Sequence, residues 1–415
     1  MPMKTGSYSL HPYQVRLLAI LALINFVNFA DRLVVAPLFP VLRDAFSVTD
    51  AQLGSLQTWL LVVLAIGSVP FGLLADRWSR KFVIAAGVVF WSLATFLSGL
   101  ANSFMILLVA RALVGVGEAA YAPAAQSMIS GAFHSEVRAR AQAVFAAGML
   151  LGGAAGQALG GFVAETHGWQ HAFFVVGVPG LILGLAALRL EEPPRGPRTE
   201  LVPVGRLLQV PAYLAMIVSG VLITFSSVSF LTWGVDYVVS YKEFGLREAS
   251  VLLATIALVT LVLGVLTGGW VADRLQRRFP YGRVLAVAVA FLIAAPFVLW
   301  LLETDEKWMV LTAFFIAGFF MSWYHGPVTA IIHDLMPRRA HATSVGVYMF
   351  VTQLVGAFGP QLVGKISDRH DLQAGLQVAV AVMIAGALSF LLVIYFIWRD
   401  GLRHPRLESF QAEAD

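Results

Sequence analysis

Four ionisable residues stand inside stretches that otherwise read as membrane-spanning helices. Asp31 and Arg32 lie between the apolar runs 17–30 and 33–41, and Arg111 and Glu118 interrupt a second apolar stretch. A charged side chain at the bilayer centre costs about 2.5–3.5 kcal/mol on insertion scales. Two guanidiniums and two carboxylates kept at such a depth imply a polar cavity. They could hold an anion and exchange a proton. Asp31 and Arg32 are neighbours, about 100° apart around a helix, so they cannot point the same way. One natural division has Arg32 facing an anionic ligand and Asp31 facing a helix contact or Arg111. Arg111 and Glu118 are seven residues apart, two turns along one face with Gly115 between them, and too far for simple i,i+4 pairing. A carboxylate that alternates between a cation and apolar surroundings changes its hold on a proton with conformation. Asp31 is the first choice for that role. Glu118, which needs a basic partner or a proton, is placed with it. The competing reading is a static salt-bridge network that holds helices together, and both can hold at once.

The elements that must carry these residues follow from composition. The chain has 415 residues, 59% hydrophobic and 13% charged, with a mean hydropathy of +0.79. Soluble domains carry about 25% charge. An all-α integral membrane protein is expected, and at ~20 residues per span the length allows about twelve spans with short loops. The net charge of +4 reads as loop charge on one side of a membrane, not as a nucleic-acid surface. There is no cysteine, so disulfides and thiolate metal sites are excluded, and no metal or cofactor is expected. The polar N-terminus leads straight into a long span and lacks the form of a cleavable signal peptide. G-x-S-x-G, H-E-x-x-H and phosphate-loop patterns are absent, which argues against an enzyme and against an ATP-driven pump. A membrane sensor would need a signalling domain or long loops, and the chain has neither.

Spans are expected at about 16–41, 52–75, 82–101, 103–130, 139–165, 171–190, 210–239, 248–272, 282–302, 307–333, 342–366 and 372–398. Residues 191–209 carry four prolines and mixed charge, a linker composition. The expected division is a six-helix bundle at 1–190, a linker at 191–209, a second bundle at 210–400 and a tail at 401–415. The halves repeat: Gly72, Asp76, Arg77, Arg80 and Lys81 recur as Gly269, Asp273, Arg274, Arg277 and Arg278, in the pattern G-x-x-x-D-R-x-x-R-[KR]. Such internal duplication fits two pseudo-symmetric halves with a site near the midplane between them. Placing the termini and linker on one side gives that side 20 of the Lys and Arg residues against 6 opposite. The positive-inside rule then puts both termini in the cytoplasm.

In the repeated loops Gly72 and Gly269 would allow close helix approach. Asp76 and Asp273 could pair with adjacent arginines or face a helix N-terminus of the other half, holding the cytoplasmic side shut. A plain topogenic charge cluster would not need the Gly or the Asp. The second half carries no strong charge at a span centre. It offers Trp233 and Tyr237, with Asp236 near the outer mouth, and Trp323, Tyr324 and His325 before Gly326-Pro327. His325 could titrate near neutral pH or serve as a structural hydrogen-bonder. Trp233 could line a ligand or simply pack. One charged half facing one apolar, aromatic half suits a substrate with an anionic head and a greasy body. Gly148, Gly152, Gly156 and Gly160 form a small-residue ridge in the fifth span, suited to close packing and sliding. Pro123, Pro179 and Pro360 fall within spans, where kinks are tolerated.

The loop motifs, the duplication and the glycine-rich fifth span resemble the major facilitator superfamily over nearly the whole chain. Several segments resemble the Spinster family within it. They are Asp31-Arg32, the Gly72 to Lys81 loop, the run from Arg111 through Glu118 to Tyr121, Gly168-Trp169, Glu192-Pro193-Pro194-Arg195-Gly196, Gly326-Pro327, Gly359-Pro360 and Ser367-Asp368. The resemblance implies a carrier of lysolipids or sphingosine-phosphate-like lipids, proton-coupled in bacterial members and working by alternating access. It implies Asp31 as the proton-linked acid, Arg32 as a head-group or gating contact, and Glu118 with Arg111 as a charged pair across the cavity. The substrate-contact set expected from residues and resemblance together is Arg32, Arg111, Glu118, Tyr121, Trp233 and His325. Anion:cation symporters of sugar acids share the D-R pair and an R-x-x-x-G-x-x-E-like run, so a proton-coupled carrier of small organic anions stays open. The expected partners are the lipid bilayer, protons and an amphipathic or anionic solute, with no nucleic acid. The expected setting is a bacterial inner membrane and the expected working unit a monomer.

Overall fold

The fold is described from a computed structural model over residues 11–194 and 202–401. Among these residues it is helical, and twelve segments are long and apolar enough to cross a membrane. The first half comprises α1 (Pro12–Val34), α2 (Phe39–Phe46), α3 (Asp50–Arg77), α4 (Arg80–Gly99), α5 (Phe104–Ala132), α6 (Ser135–His167) and α7 (Trp169–Ala187). A short α8 (Val204–Leu207) precedes the second half: α9 (Pro211–Tyr241), α10 (Leu246–Gln276), α11 (Gly282–Glu303), α12 (Lys307–Met321), α13 (His325–Leu335), α14 (His341–Gly356), α15 (Gly359–Ser367) and α16 (Leu372–Asp400).

Local chemistry sets the ends. Thr49 accepts from the Gln52 amide while the Gln52 side chain returns to the Thr49 amide, closing a capping box at the start of α3. Ser103 caps α5 and Asp371 caps α16. A single residue, Gly168 at φ +91°, joins α6 to α7, a backbone setting that favours glycine. Three expected spans are not single α-helices. Residues 36–38, which contain Pro37 and precede Pro40, are 3-10 and separate α1 from α2. Residues 322–324 are 3-10 between α12 and α13, and Ala357 and Phe358 separate α14 from α15. The last break lies just before Gly359-Pro360, where proline fits the first turn of a new helix. Pro123 and Pro179 sit inside uninterrupted α5 and α7.

The duplication is visible in the packing. The first span packs on the fifth and sixth, and the seventh packs on the eleventh and twelfth; second on fourth repeats as eighth on tenth, and third on sixth as ninth on twelfth. The glycine ridge of α6 lies directly on α1. A Cβ at Gly148, Gly152, Gly156 or Gly160 would run into the backbone carbonyl of Ala22, Phe26, Ala30 or Val34 respectively. This contact fixes both the spacing and the rotation of α1, and with it the directions in which Asn28, Asp31 and Arg32 point. Large apolar side chains such as Leu23, Ile66, Ile106, Ile182, Leu266 and Trp398 are exposed. In a bilayer this is the lipid-facing coat.

The halves meet at the end away from the termini, called here the far end. There α3 packs against α15 and α6 against α10. Gly54 sits on the Pro360 carbonyl, Gly364 on that of Asp50, and Gly161 against the Ser250 side chain.

Candidate functional site

Rotation of α1 by the glycine ridge sends Asp31 toward α4 and α5. Its carboxylate is 2.7 Å from Arg111 Nη1 and accepts a second bond from the Thr95 hydroxyl, while Arg111 Nη2 donates to the Asp31 carbonyl at 3.1 Å. Arg111 also lies 5.8 Å from the Phe173 ring. Both members of the pair are sealed from solvent.

Arg32, one residue on, takes the other direction. Its Nη2 and Nε approach Glu118 Oε2 at 2.7 and 3.1 Å, Nη2 reaches Asn28 Oδ1 at 3.4 Å, and the guanidinium covers Phe29 at 4.5 Å. The Arg32 side chain is 14% exposed and that of Glu118 is 0%. Arg32 is thus the most open of the four charges. Glu118 uses one oxygen only; Oε1 is buried without a hydrogen-bond partner, as are Asn28 Nδ2, Arg111 Nε and Ser92 Oγ. Native interiors leave few such atoms unsatisfied, and two of these four, Glu118 Oε1 and Asn28 Nδ2, belong to the residues that meet Arg32.

The structure therefore brings Asp31, Arg32, Arg111 and Glu118 together as two crossed pairs. Arg111 goes to Asp31 and Glu118 to Arg32, not to each other as the resemblance implied. Three further expected contacts lie elsewhere. Tyr121 is buried; its hydroxyl donates to the Leu21 carbonyl and its ring meets Trp91 edge-on at 5.7 Å. That is a structural position on α5, since the same seven-residue face that carries Arg111 and Glu118 leaves Tyr121 turned into the first half. Trp233 is fully buried in the far-end seam, donates Nε1 to the Pro360 carbonyl at 2.9 Å and packs edge-on to Phe39 at 4.9 Å. His325 opens α13 and is exposed, with its ring 5.8 Å from that of Tyr324. Beside it the hydroxyls of Tyr324 and Tyr348 are 2.5 Å apart.

The repeated loops are at the linker end. Asp273 pairs with Arg283 at 2.8 Å, and Arg283 reaches Asp334 at 2.5 Å, all within the second half. Arg80 is buried and donates to the Ser127 hydroxyl at 3.2 Å and to the Pro193 carbonyl, tying α4 to α5 and to the segment after α7. Arg274 lies 5.9 Å from the exposed Trp270 ring. Arg77 is exposed and Arg277 follows α10. The expected close approach at the two glycines does not occur. A Cβ at Gly72 would reach only Pro123 Cβ, at 4.0 Å, and one at Gly269 would meet nothing within 4 Å. The side chain of Asp76 lies outside the described residues.

A carboxylate on a helix N-terminus of the other half does exist, but at the far end. Asp368 accepts from the amides of Asp50 and Ala51 at 2.8 and 3.1 Å, at the start of α3. Beside it Arg43 bridges Asp50 at 2.7 Å and Asp236 at 2.5 Å, and Ser367 donates to Asp50 at 2.5 Å. Asp236 is fully buried and also accepts from Ser240. The Glu165 carboxylate accepts from the Arg247 amide at 2.7 Å across the second seam. Arg43, Asp50 and the lock they form were not singled out from sequence. The available signal was a buried-span carboxylate, Asp236, that needed a cation, with Arg43 among the few basic residues on its side.

The chain matches the family model described as Major Facilitator Superfamily over residues 21–360. It is 30% identical to protein spinster homolog 1 of Xenopus laevis over 432 aligned residues, covering 93% of this chain and 81% of that protein. It is 28% identical to the sphingosine-1-phosphate transporter SPNS2 of Danio rerio, covering 84% and 75%. Its fold matches the crystal structure of a bacterial homolog to the human lysosomal transporter spinster, in an inward-facing and occupied conformation, with a TM-score of 0.80 at 23% identity over 95% of this chain and 97% of that one. Twelve spans in two alike halves, a charged site between the first and fourth spans, and these matches lead to one conclusion: the chain belongs to the Major Facilitator Superfamily and, within it, to the spinster family of membrane transporters.

Proposed function

We propose that the protein is a proton-coupled carrier of an amphipathic anion, of the lysophospholipid or sphingosine-phosphate kind, and that the Arg32–Glu118 pair couples anion to proton. The observation that carries this reading is the one-oxygen pairing of Glu118 with the partly open Arg32. An incoming phosphate competes for the guanidinium, which suits bidentate recognition of oxyanions. Glu118, deprived of its cation in a dry site, then lowers the cost of burial by taking a proton. Anion and proton thereby bind as a unit. Asp31, saturated by Arg111 and Thr95, anchors the site and keeps Arg111 compensated. The apolar, aromatic character of the second half supports the choice of a greasy body. The similarity to the fish sphingosine-1-phosphate transporter supports a phosphorylated lipid.

If the linker end is cytoplasmic, as the positive-inside rule expects, the closed far end makes this the inward-facing member of an alternating-access cycle. Asp76 and Asp273 would then close the linker end in the outward-facing member. The test is uptake into proteoliposomes under an imposed pH gradient, comparing a lysophospholipid with a sugar acid. Wild type should concentrate the lysophospholipid. Glu118→Gln should lose at least about tenfold of gradient-driven uptake, equivalent to about 1.4 kcal/mol, while still exchanging lipid down its own gradient. Uptake of the sugar acid without the lysophospholipid would refute the substrate class. Full pH-driven uptake by Glu118→Gln would refute the coupling.

A further inference from the structure

Asn28 is a buried amide to which the coupling of anion and proton gives no task. It lies on α1 one turn before Arg32 and is 3% exposed. Its Oδ1 meets Arg32 Nη2 at 3.4 Å, a long bond, while its Nδ2 is sealed from solvent and makes no hydrogen bond among the described residues. Charge fixes which way the amide faces: turned over, it would set an N–H against the guanidinium, which itself can only donate. A buried donor with no acceptor is costly to keep. A donor held at that cost beside the most open of the four charges points to an acceptor that arrives with the ligand.

The chemistry of that acceptor follows from the guanidinium. Nε and Nη2 of Arg32 now hold Glu118 Oε2. When an anion takes the place of Glu118, the planar fork pairs with two of its oxygens. A carboxylate has no others. A phosphomonoester has three terminal oxygens around a tetrahedral centre, so one projects away from the fork. Nδ2 shares its carbon with the Oδ1 that already meets Nη2, which puts it beside the same edge of the guanidinium. We infer that Asn28 is a specificity-determining contact, its Nδ2 donating to the third oxygen of a phosphomonoester head and so setting lipid phosphates above carboxylates with the same body. The inference rests on Arg32 as the anion contact, proposed above, and adds the residue that reads the shape of the anion. Glu118 does not draw this distinction, because it yields the cation to either anion. With a carboxylate on the fork Nδ2 stays unpaired, and a site whose buried polar group finds no partner rejects the ligand that lacks one.

Isothermal titration of the purified full chain in detergent tests this, with an alkyl phosphate and the fatty acid of equal chain length at a pH where both are ionised. The charge difference between the two ligands is the same for every variant, so comparing the ratio of their affinities between proteins isolates the contact. Wild type should prefer the phosphate. Asn28→Leu, which keeps the size and removes the amide, should cut that preference about tenfold, the scale of one hydrogen bond to a charged group, with fatty-acid affinity retained. Asn28→Ala should give the same reduced ratio. Arg32→Ala should weaken both ligands. If it does, while Asn28→Leu and Asn28→Ala keep the wild-type ratio, the assignment to Asn28 is overturned and the role of Arg32 stands. Equal losses of both ligands in the two Asn28 variants would mark the residue as structural and overturn it likewise. If Arg32→Ala binds both ligands as wild type does, the anion site lies elsewhere and both readings fall.

Discussion

Asp31→Asn will destabilise the folded protein by about 3–5 kcal/mol, the range found when one partner of a buried ion pair is removed. The substitution is nearly isosteric and keeps an acceptor for Thr95. What it removes is the charge opposite Arg111, whose guanidinium is sealed between α1, α5 and Phe173. An isolated buried cation is among the costliest defects a core can hold. Thermal unfolding in detergent should show an apparent melting temperature several degrees below wild type. Arg111→Met combined with Asp31→Asn should recover most of the loss, since a neutral pair leaves no uncompensated charge. A single variant as stable as wild type would show that Arg111 finds another anion or water, and would remove the anchoring role given to this pair.

Arg43→Ala will open the far end. Arg43 holds Asp50 of its own half and the fully buried Asp236 of the other. Without it Asp236 keeps only the Ser240 hydroxyl as a described partner. Truncating one member of a buried, hydrogen-bonded charge pair across an interface costs about 2 kcal/mol or more, which is roughly thirtyfold in the ratio of closed to open. The chain has no cysteine, so spin labels at Asp44→Cys and Glu243→Cys report far-end separation directly. Wild type should give a single short distance, and Arg43→Ala a dominant longer one. Identical distributions would mean that the remaining ties, Asp368 on the α3 amides, Glu165 on the Arg247 amide and the packing of the two seams, hold the end shut without Arg43.

Much of this architecture is legible in the sequence because the bilayer imposes it. Twelve apolar stretches, the repeated G-x-x-x-D-R loops and the four intramembrane charges each follow from the cost of polar groups in hydrocarbon. Pairing within the charged site is less legible. Seven-residue spacing does place Arg111 and Glu118 on one face of α5, yet each is met by a different residue of α1. Which one depends on how the ridge of Gly148 to Gly160 rotates α1 against α6, and no local pattern states that rotation. Trp233 illustrates a second limit. Its type suits a ligand or a seam equally, and what decides is the break before Gly359-Pro360, which brings the Pro360 carbonyl to the indole. The glycines of the repeated loops show a third. A glycine in a loop motif suits close helix approach, yet here Gly269 stands clear of its surroundings and Gly72 meets only Pro123, so residue type and spacing alone do not state where helices touch.

The coupling claim is tested most directly by counting protons taken up when the ligand binds. Purified protein in weakly buffered detergent solution is mixed with a lysophospholipid of net negative charge while a pH indicator reports proton uptake. The mechanism above predicts close to one proton bound per ligand in wild type, none in Glu118→Gln, and weakened ligand binding in Arg32→Ala. Ligand binding with no proton uptake in wild type, or with undiminished uptake in Glu118→Gln, would contradict it.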